Sequence, residues 1–258
     1  MPKIRRSMKI IVCVSCVPDT TTKPTFIENN TKLNEQGVQF IVNPYDEYSL
    51  ARAVALRDAT PGSKITVITV GEANTEQNIR KALAVGADEA IRINAKPINA
   101  QYVAKQIAHV VKEIGFDIIF TGKESTDYNG GITGNLIAAE LDIPYTHSVT
   151  SLEVSGTEAK MEREIEGGKE VVRASLPMVL GSQKGIAEPI IPNMMGIAKA
   201  RTKPLTVREP IPVETPTQLI IHELPKPKGA GKFFKADGNV QEAVNQLIEA
   251  LSKEAKTI

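Results

Sequence analysis

Short apolar runs alternate with amphipathic segments from the start of the chain to about Tyr145. The apolar runs are rich in β-branched residues, which is typical of buried parallel strands. These predicted strands are Lys9–Val14, Lys64–Val70, Glu89–Ile93 and Asp117–Phe120. Apolar residues recur three and four positions apart between them, which predicts helices. The predicted helices are Tyr45–Arg57, Asn74–Gly86, Ala100–Ile114 and Ile132–Leu141. Strands that alternate with such helices indicate βαβ units, so we predict a doubly wound α/β fold with a mostly parallel sheet.

The pattern changes after Pro144. Three short strands separated by Gly-containing turns predict a small antiparallel patch, inserted around residues 147–175. Its predicted strands are Val149–Val154, Ala159–Ile165 and Glu170–Ala174. We expect Met178–Leu180 to rejoin the main sheet and Ser15–Phe40 to be an irregular excursion.

The chain is dense in proline from Glu188 onward. Proline removes backbone donors, so we predict an extended arm with little regular structure that contacts a partner. The arm ends in an amphipathic helix predicted at Val240–Ala255, with Asp237 or Asn239 as its N-cap. We therefore divide the chain into residues 1–185, an α/β nucleotide-binding domain, and residues 186–258, a partner-recognition loop, arm and helix.

Ligands of doubly wound sheets bind outside the carboxyl ends of the strands. Four strand-end loops are therefore candidates: Cys13–Thr20, Asn43–Asp46, Val70–Ala73 and Gly122–Thr133. The last is rich in glycine and precedes a helix whose first amides can hold a phosphate. It is neither GxxxxGK[ST] nor GxGxxG, so the residues alone leave nucleotide binding and a structural glycine loop both open.

Composition excludes several classes of protein. Thirty-one basic residues balance thirty acidic ones, and there is no Trp, which argues against a nucleic-acid partner. No apolar run approaches the roughly 20 residues that span a bilayer. Cys13 and Cys16 form a CxxC without further ligands at metal spacing, so we expect no metal. No catalytic constellation is visible, and His147 is interpreted as structural. Translation starts at either Met1 or Met8, and we expect no signal peptide and a cytoplasmic protein.

Six segments taken together resemble the beta subunits of electron transfer flavoproteins. The most specific segment is Met161–Leu180, MEREIEGGKEVVRASLPMVL. The other five are VPDT from Val17, NPYDE from Asn43, RKALAVGADEA from Arg80, TGKESTDYNGG from Thr121 and EPIIPNMMGIAKA from Glu188. Their order and spacing agree with the family over nearly the whole chain.

The resemblance implies a heterodimeric electron carrier that is not itself an enzyme, with an adenine nucleotide alpha-hydrolase-like fold. A larger alpha subunit holds most of the FAD, while this chain forms one wall of that site and binds an AMP of its own. The positions that match the AMP pocket coincide with the strand-end loops. They are Cys13, Asn43, Pro44, Tyr45, Asp46, Val70, Gly122, Lys123, Glu124, Ser125, Thr126, Asp127, Tyr128, Asn129, Gly130, Gly131, Ile132 and Thr133.

The resemblance also implies two contact sites. Glu164 matches an acidic residue at the subunit junction near the FAD. A docking loop for flavin dehydrogenases of the acyl-CoA type, as in fatty acid oxidation, matches Ile190, Ile191, Pro192, Asn193, Met194 and Met195. A quinone oxidoreductase would take the electrons to the respiratory chain, in the cytoplasm of a bacterium or in the mitochondrial matrix of a eukaryote.

Two alternatives stay open. A bifurcating relative binds a second FAD in place of AMP, with NADH near a Gly-Pro-Pro after the second strand; here that place reads VGEANTE, which favours AMP. A free-standing adenine-nucleotide sensor would explain the glycine-rich loop but neither the arm nor the last helix. A small-molecule kinase or ligase is disfavoured because a Walker A motif is missing.

Overall fold

The computed structural model describes residues 7–227 and 229–257. Within these ranges the strands are β1 (Lys9–Cys13), β2 (Cys16–Pro18), β3 (Phe26–Ile27), β4 (Lys32–Leu33), β5 (Phe40–Val42), β6 (Lys64–Val70), β7 (Glu89–Ile93), β8 (Ile118–Gly122), β9 (Tyr145–Ser155), β10 (Glu158–Ile165), β11 (Gly168–Ser175), β12 (Met178–Ser182) and β13 (Leu205–Arg208). The helices are α1 (Pro44–Asp58), α2 (Glu76–Val85), α3 (Ala100–Ile114), α4 (Thr133–Leu141), α5 (Met194–Ala200) and α6 (Val240–Ala250).

One sheet dominates these residues, with nine strands in the order β11-β10-β9-β12-β8-β1-β6-β7-β13. All neighbouring pairs from β9 to β13 are parallel, and Ile10 of β1 lies between Ile65 and Ile118 of the adjacent strands. From β1 the chain builds β6 and β7 on one side and β8 on the other. The strand order therefore reverses at β1, which is the place where such sheets open a ligand crevice.

Alternate residues of the parallel strands face two separate hydrophobic clusters. Ile10 and Val12 pack with apolar residues of α1 and α2, whereas Ile11 and Cys13 pack with those of α3 and α4. Helices thus cover both faces of the sheet. The prediction of a doubly wound α/β fold with a mostly parallel sheet is confirmed.

The antiparallel patch is an extension of the main sheet. Strands β9, β10 and β11 form an antiparallel meander, and β9 also pairs with β12 in parallel. The strands of this patch are longer than predicted. Strand β9, for example, already begins at Tyr145. Arg163 and Glu170 sit opposite each other on β10 and β11 and form an ion pair of 2.6 Å.

Some short elements were not predicted. Strand β13 lies between Pro204 and Pro210 and pairs with β7, because an edge strand needs only one of its sides for hydrogen bonds. Helix α5 begins after Asn193, whose side chain accepts the N–H of Gly196 at 2.8 Å. The excursion before α1 contains β2, β3, β4 and β5, each of two or three residues.

Two compact units are distinguished, one ending at Ile220 and one starting at Ile221. In the second unit, α6 begins after Asn239, which caps it by accepting the N–H of Glu242 at 3.2 Å. A π-helical turn, Leu251–Ala255, continues it. The assignment of residues 1–185 and 186–258 to separate roles stays a prediction. No helix in the ranges that the structure describes is long and apolar enough to cross a membrane.

Helix α5 and the start of β13 are fastened to α2 by two cations. Arg80 donates from one nitrogen to the carbonyl oxygens of Ala200 and Lys203, at 2.9 and 2.8 Å. The Nζ of Lys203 donates to the carbonyl oxygens of Leu83 and Ala87, at 2.9 and 2.5 Å. A cation at the last carbonyls of a helix satisfies them and is favoured by the helix dipole.

We expect Lys203→Met to lower the free energy of unfolding by about 1 kcal/mol, because two carbonyls at the end of α2 lose a charged donor. Urea denaturation of the full chain measures this. Lys199→Met is the matched control, since the exposed Lys199 side chain lies on α5 without these bonds. Equal losses in both variants would show that Lys203 does not fasten the segment.

Candidate functional site

The strand-end loops meet at one edge of the sheet. The parallel strands β1, β6, β8 and β12 all end there, and β5 leads through Asn43 into α1 above the same edge. The loops that follow these strands lie around the switch point, where doubly wound sheets place their ligand cleft. All four candidate loops from the sequence contribute to this edge.

Asn43 joins three of these segments, although it is almost fully buried. Its N–H donates to the carbonyl of Ser15 at 2.9 Å, and its side-chain nitrogen donates to the carbonyl of Glu124 at 2.9 Å. Its side-chain oxygen accepts the N–H of Thr126 at 3.3 Å. The amide side chain therefore holds the glycine-rich loop against the start of α1.

Asp46 makes a second connection from the first turn of α1. One carboxyl oxygen accepts the N–H of Ser15 at 2.7 Å, and the other accepts the N–H of Gly122 at 2.9 Å. Burial raises the pKa of Asp46 to about 7, although both N–H groups act in the opposite direction. Burial, and then the charge of Asp46, raise the pKa of the Cys13 thiol well above its ordinary value. Cys13 is therefore a packed thiol rather than a nucleophile.

Gly122 leaves the space that these contacts need. A Cβ at this position would lie 2.5 Å from the Oδ1 of Asp46 and 2.7 Å from the Cβ of Tyr45. Such approaches are closer than van der Waals contact allows. The glycine thus lets β8 end directly against α1.

The loop from Lys123 to Gly130 then turns outward. The Nζ of Lys123 lies 5.0 Å from the ring centroid of Tyr45 and 3.3 Å from the Oε1 of Glu124. The Asn129 N–H donates to the carbonyl of Ser125 at 2.8 Å, and Asn129 has a positive φ of 49°. Asp127, Tyr128, Asn129 and Gly130 are exposed at the tip of this loop.

Helix α4 starts without a side-chain cap at the end of this loop. Gly131, with a φ of 62°, and Ile132 lead into Thr133, its first residue. Free N–H groups at a helix start suit an anion, above all a phosphate. Within the described residues, the buried hydroxyl oxygens of Thr126 and Ser182 also have no hydrogen-bond partner. This set of groups fits a ligand that carries a phosphate.

The loop after β6 completes this edge of the sheet. Val70 is buried at the end of β6, and the carbonyl of the following Gly71 accepts a 2.9 Å hydrogen bond from the buried guanidinium of Arg92. Over residues 7–227 and 229–257, no group of three or more His, Cys, Asp or Glu side chains is arranged to hold a metal ion. The polar groups at this edge are suited to an organic anion.

The other predicted contact residues lie on β10 and in the segment before α5 and at its start. Glu164 is exposed on β10, and its Oε2 accepts a 2.9 Å hydrogen bond from the side chain of Gln183, which directly follows β12. The segment from Ile190 to Met195 leads into α5, which packs on α2. Ile191 and Met194 are 90% and 83% exposed there.

Several residues at this edge were not predicted from the sequence. Ser15 lies within the candidate loop Cys13–Thr20 but was not singled out, and Ser182 ends the buried strand β12, a position that would have marked it. Arg92 alternates with apolar neighbours on β7, where a charged residue inside a buried strand was the available signal. Tyr145 and His147 start β9, and the Tyr145 hydroxyl lies 2.9 Å from the Nδ1 of His147.

The fold defines a doubly wound α/β protein whose strand-end loops meet at the switch point. The family model described as "Electron transfer flavoprotein domain" matches residues 30–212. The chain is 34% identical to the electron transfer flavoprotein subunit beta of Bacillus subtilis, over 97% of this chain and all of the relative. It is 32% identical to that of Thermoanaerobacterium thermosaccharolyticum, over 95% and 98%. It is 28% identical to the caffeyl-CoA reductase-Etf complex subunit CarD of Acetobacterium woodii, over 95% and 98%.

The chain therefore belongs to the electron transfer flavoprotein family, and it is of the beta-subunit type. The resemblance found in the sequence is confirmed, and with it electron transfer as the general role of the family.

Asp46→Asn should remove a pH dependence of stability. Folded Asp46 binds a proton more readily than unfolded Asp46, so wild-type stability rises as the pH falls through about 7 towards 4. The slope is at most about 1.4 kcal/mol per pH unit from this one group. Urea midpoints between pH 5 and pH 8 should show this component in the wild type and not in Asp46→Asn.

Asp127→Asn serves as the control for that comparison, because Asp127 is an exposed carboxyl in the neighbouring loop. We expect its profile to run parallel to that of the wild type. If the Asp46→Asn profile also runs parallel, Asp46 is not the titrating group.

Proposed function

We propose that this chain is the beta subunit of a heterodimeric electron transfer flavoprotein and works with an alpha subunit that holds most of one FAD. Support comes from the family, and from curated relatives named as subunit beta that match along 95–97% of this chain. FAD supplies the electron-carrying chemistry when bound. The chain itself binds, orients and shields, and it does no substrate chemistry.

AMP is the nucleotide that the strand-end cleft suits best. The uncapped start of α4, at Gly131 to Thr133, would hold its single phosphate, with Lys123 adding positive charge and Thr126 a hydroxyl. Cys13 and Val70, at the buried ends of β1 and β6, would line the adenosine portion. The connections made by Asn43 and Asp46 keep these walls together without help from a ligand.

Glu164 contributes to the wall that faces the FAD. Its carboxylate is exposed on β10 and is oriented by the 2.9 Å hydrogen bond from Gln183. An oriented charge at a subunit junction stabilises the opposite charge on a partner or a cofactor. This role does not require Glu164 to exchange a proton.

The segment Ile190–Met195 is the docking site for flavin dehydrogenases of the acyl-CoA type. Ile191, Met194 and Met195 expose most of their apolar side chains, and flexible Met side chains suit several partners. Arg80 and Lys203 hold the following helix in place, so the anchor is presented in one orientation. A quinone oxidoreductase is the proposed acceptor, in a bacterial cytoplasm or in a mitochondrial matrix.

A bifurcating carrier, with a second FAD in place of AMP and with NADH, is the second candidate. It is favoured by the likeness to a subunit of a caffeyl-CoA reductase-Etf complex, in which an Etf is joined to a reductase. The segment after β6 reads Gly71-Glu72-Ala73 and lacks the Gly-Pro-Pro of the bifurcating branch, which favours AMP.

Counting the nucleotides distinguishes these functions. The chain is co-expressed with the alpha subunit encoded in the same organism, the purified complex is denatured, and the released FAD and AMP are quantified by chromatography. We expect one FAD and one AMP per heterodimer. Two FAD without AMP would support the bifurcating candidate, and a complex without flavin would leave an adenine-nucleotide sensor as the better explanation.

Gly122→Ala should reduce the AMP content of the purified complex severalfold. The added methyl group must displace the carboxyl of Asp46 or the side chain of Tyr45, which moves the glycine-rich loop. Gly130→Ala is the matched control, because no atom lies within 4 Å of a Cβ at that position of the same loop. Full AMP content in Gly122→Ala would contradict the proposed position of the cleft.

Ile191→Ala should slow reduction of the complex by an acyl-CoA dehydrogenase about fivefold or more, since truncation of an anchor that the partner buries costs over 1 kcal/mol. AMP content and unfolding midpoint should not change. Ile98→Ala removes the exposed side chain of another isoleucine, outside this segment, and should leave the rate unchanged. Wild-type kinetics in Ile191→Ala would exclude Ile191 as the anchor.

A further inference from the structure

His147 faces the glycine-rich loop from the side of β9. A Cβ built on Gly131 would lie 3.8 Å from the Cε1 of the imidazole and 3.6 Å from the carbonyl oxygen of Lys123. His147 is half-buried, and its Nδ1 is engaged by the Tyr145 hydroxyl at 2.9 Å. Among the residues that the structure describes, its Nε2 has no hydrogen-bond partner.

Two glycines leave the space that the ring of Tyr145 occupies beside His147. A Cβ on Gly134, in the first turn of α4, would lie 2.8 Å from the Cε2 of Tyr145. A Cβ on Gly181, in β12, would lie 2.7 Å from the Tyr145 hydroxyl oxygen and 3.4 Å from the Nδ1 of His147. The ring of Tyr145 therefore occupies space that these glycines leave free, and the hydroxyl is held against the imidazole.

The hydrogen bond between Tyr145 and His147 bears on which imidazole nitrogen carries the proton. Burial raises the pKa of Tyr145 to about 12, so its hydroxyl stays protonated and can donate to Nδ1. When the hydroxyl donates, the neutral imidazole carries its hydrogen on Nε2. Burial, then Lys123 and Arg163, lower the pKa of His147, while Glu124 raises it. In that tautomer the free protein presents a neutral N–H donor near Lys123, Arg163 and Glu124.

We propose that His147 is a phosphate ligand of the strand-end cleft, whose Nε2 donates to the nucleotide phosphate so that nucleotide binding is coupled to proton uptake by the imidazole. This inference rests on the proposed binding of AMP. A phosphate dianion close to the imidazole favours its charged form, and the hydrogen bond becomes charge-assisted. By linkage, AMP then binds more tightly as the pH falls towards 6.

Isothermal titration calorimetry tests this coupling. AMP is titrated at pH 6.5 into the nucleotide-depleted complex with the alpha subunit, in two buffers of different ionisation enthalpy, which gives the number of protons taken up. We expect the wild type to take up on the order of half a proton more than His147→Gln, and to bind AMP about fivefold more tightly. Protonation of AMP itself contributes equally to both proteins.

Adenosine and Tyr145→Phe extend the test. Adenosine lacks the phosphate, so its binding should show no difference in proton uptake between the wild type and His147→Gln. Tyr145→Phe keeps the ring but removes the donor that favours the neutral imidazole. With the hydroxyl as donor, its removal should raise the pKa of His147 in the free protein, so proton uptake on AMP binding should fall. A tyrosine with a merely structural role would not change the proton count.

The outcomes separate the two proposals. Equal proton uptake in the wild type, His147→Gln and Tyr145→Phe, with AMP bound by all three, overturns the role of His147 and leaves the AMP site standing. Absence of AMP binding to the wild type overturns the nucleotide site itself. If His147→Gln does not fold, the comparison between the wild type and Tyr145→Phe still decides.

Discussion

One buried carboxylate at the start of α1 receives the N–H groups of two chain segments that are more than one hundred residues apart. Asp46 binds Ser15 after β1 and Gly122 at the end of β8, and Asn43 adds the loop around Glu124 and Thr126. A buried polar network of this kind stabilises only when each member is satisfied, which makes the arrangement specific. The cleft, the start of α4 and the positions of the candidate ligands all depend on it.

Three elements with a regular pattern were predicted to the residue. Lys64–Val70 and Glu89–Ile93 are buried apolar runs, and Ala100–Ile114 is an amphipathic helix between the Asn99 cap and Gly115. Strand β13 was not predicted, because its four residues become a strand only by pairing with β7, more than a hundred residues earlier. Helix α5 was not predicted either, since its apolar side chains are mostly exposed and follow no helical stripe.

For the site, the strand-end rule led to the correct edge of the sheet, while the family resemblance selected residues within it. Neither indicated that Asn43 and Asp46 serve as connections between loops, because a hydrogen bond to a distant backbone N–H leaves no local pattern. The same holds for Tyr145 and His147, whose relation to Gly134 and Gly181 exists only after β9, β12 and α4 have assembled. Their glycine partners looked like ordinary helix and strand residues.

The two outer strands of the nine-stranded sheet also bear on how the protein behaves when it is newly made and crowded. An open sheet edge recruits strands from other molecules and seeds aggregates. Strand β13 offers only four residues between Pro204 and Pro210, too few to template a long ladder. At the opposite edge, β11 carries the exposed charges of Lys169, Glu170 and Arg173. Both borders thus discourage edge-to-edge pairing between copies of this chain.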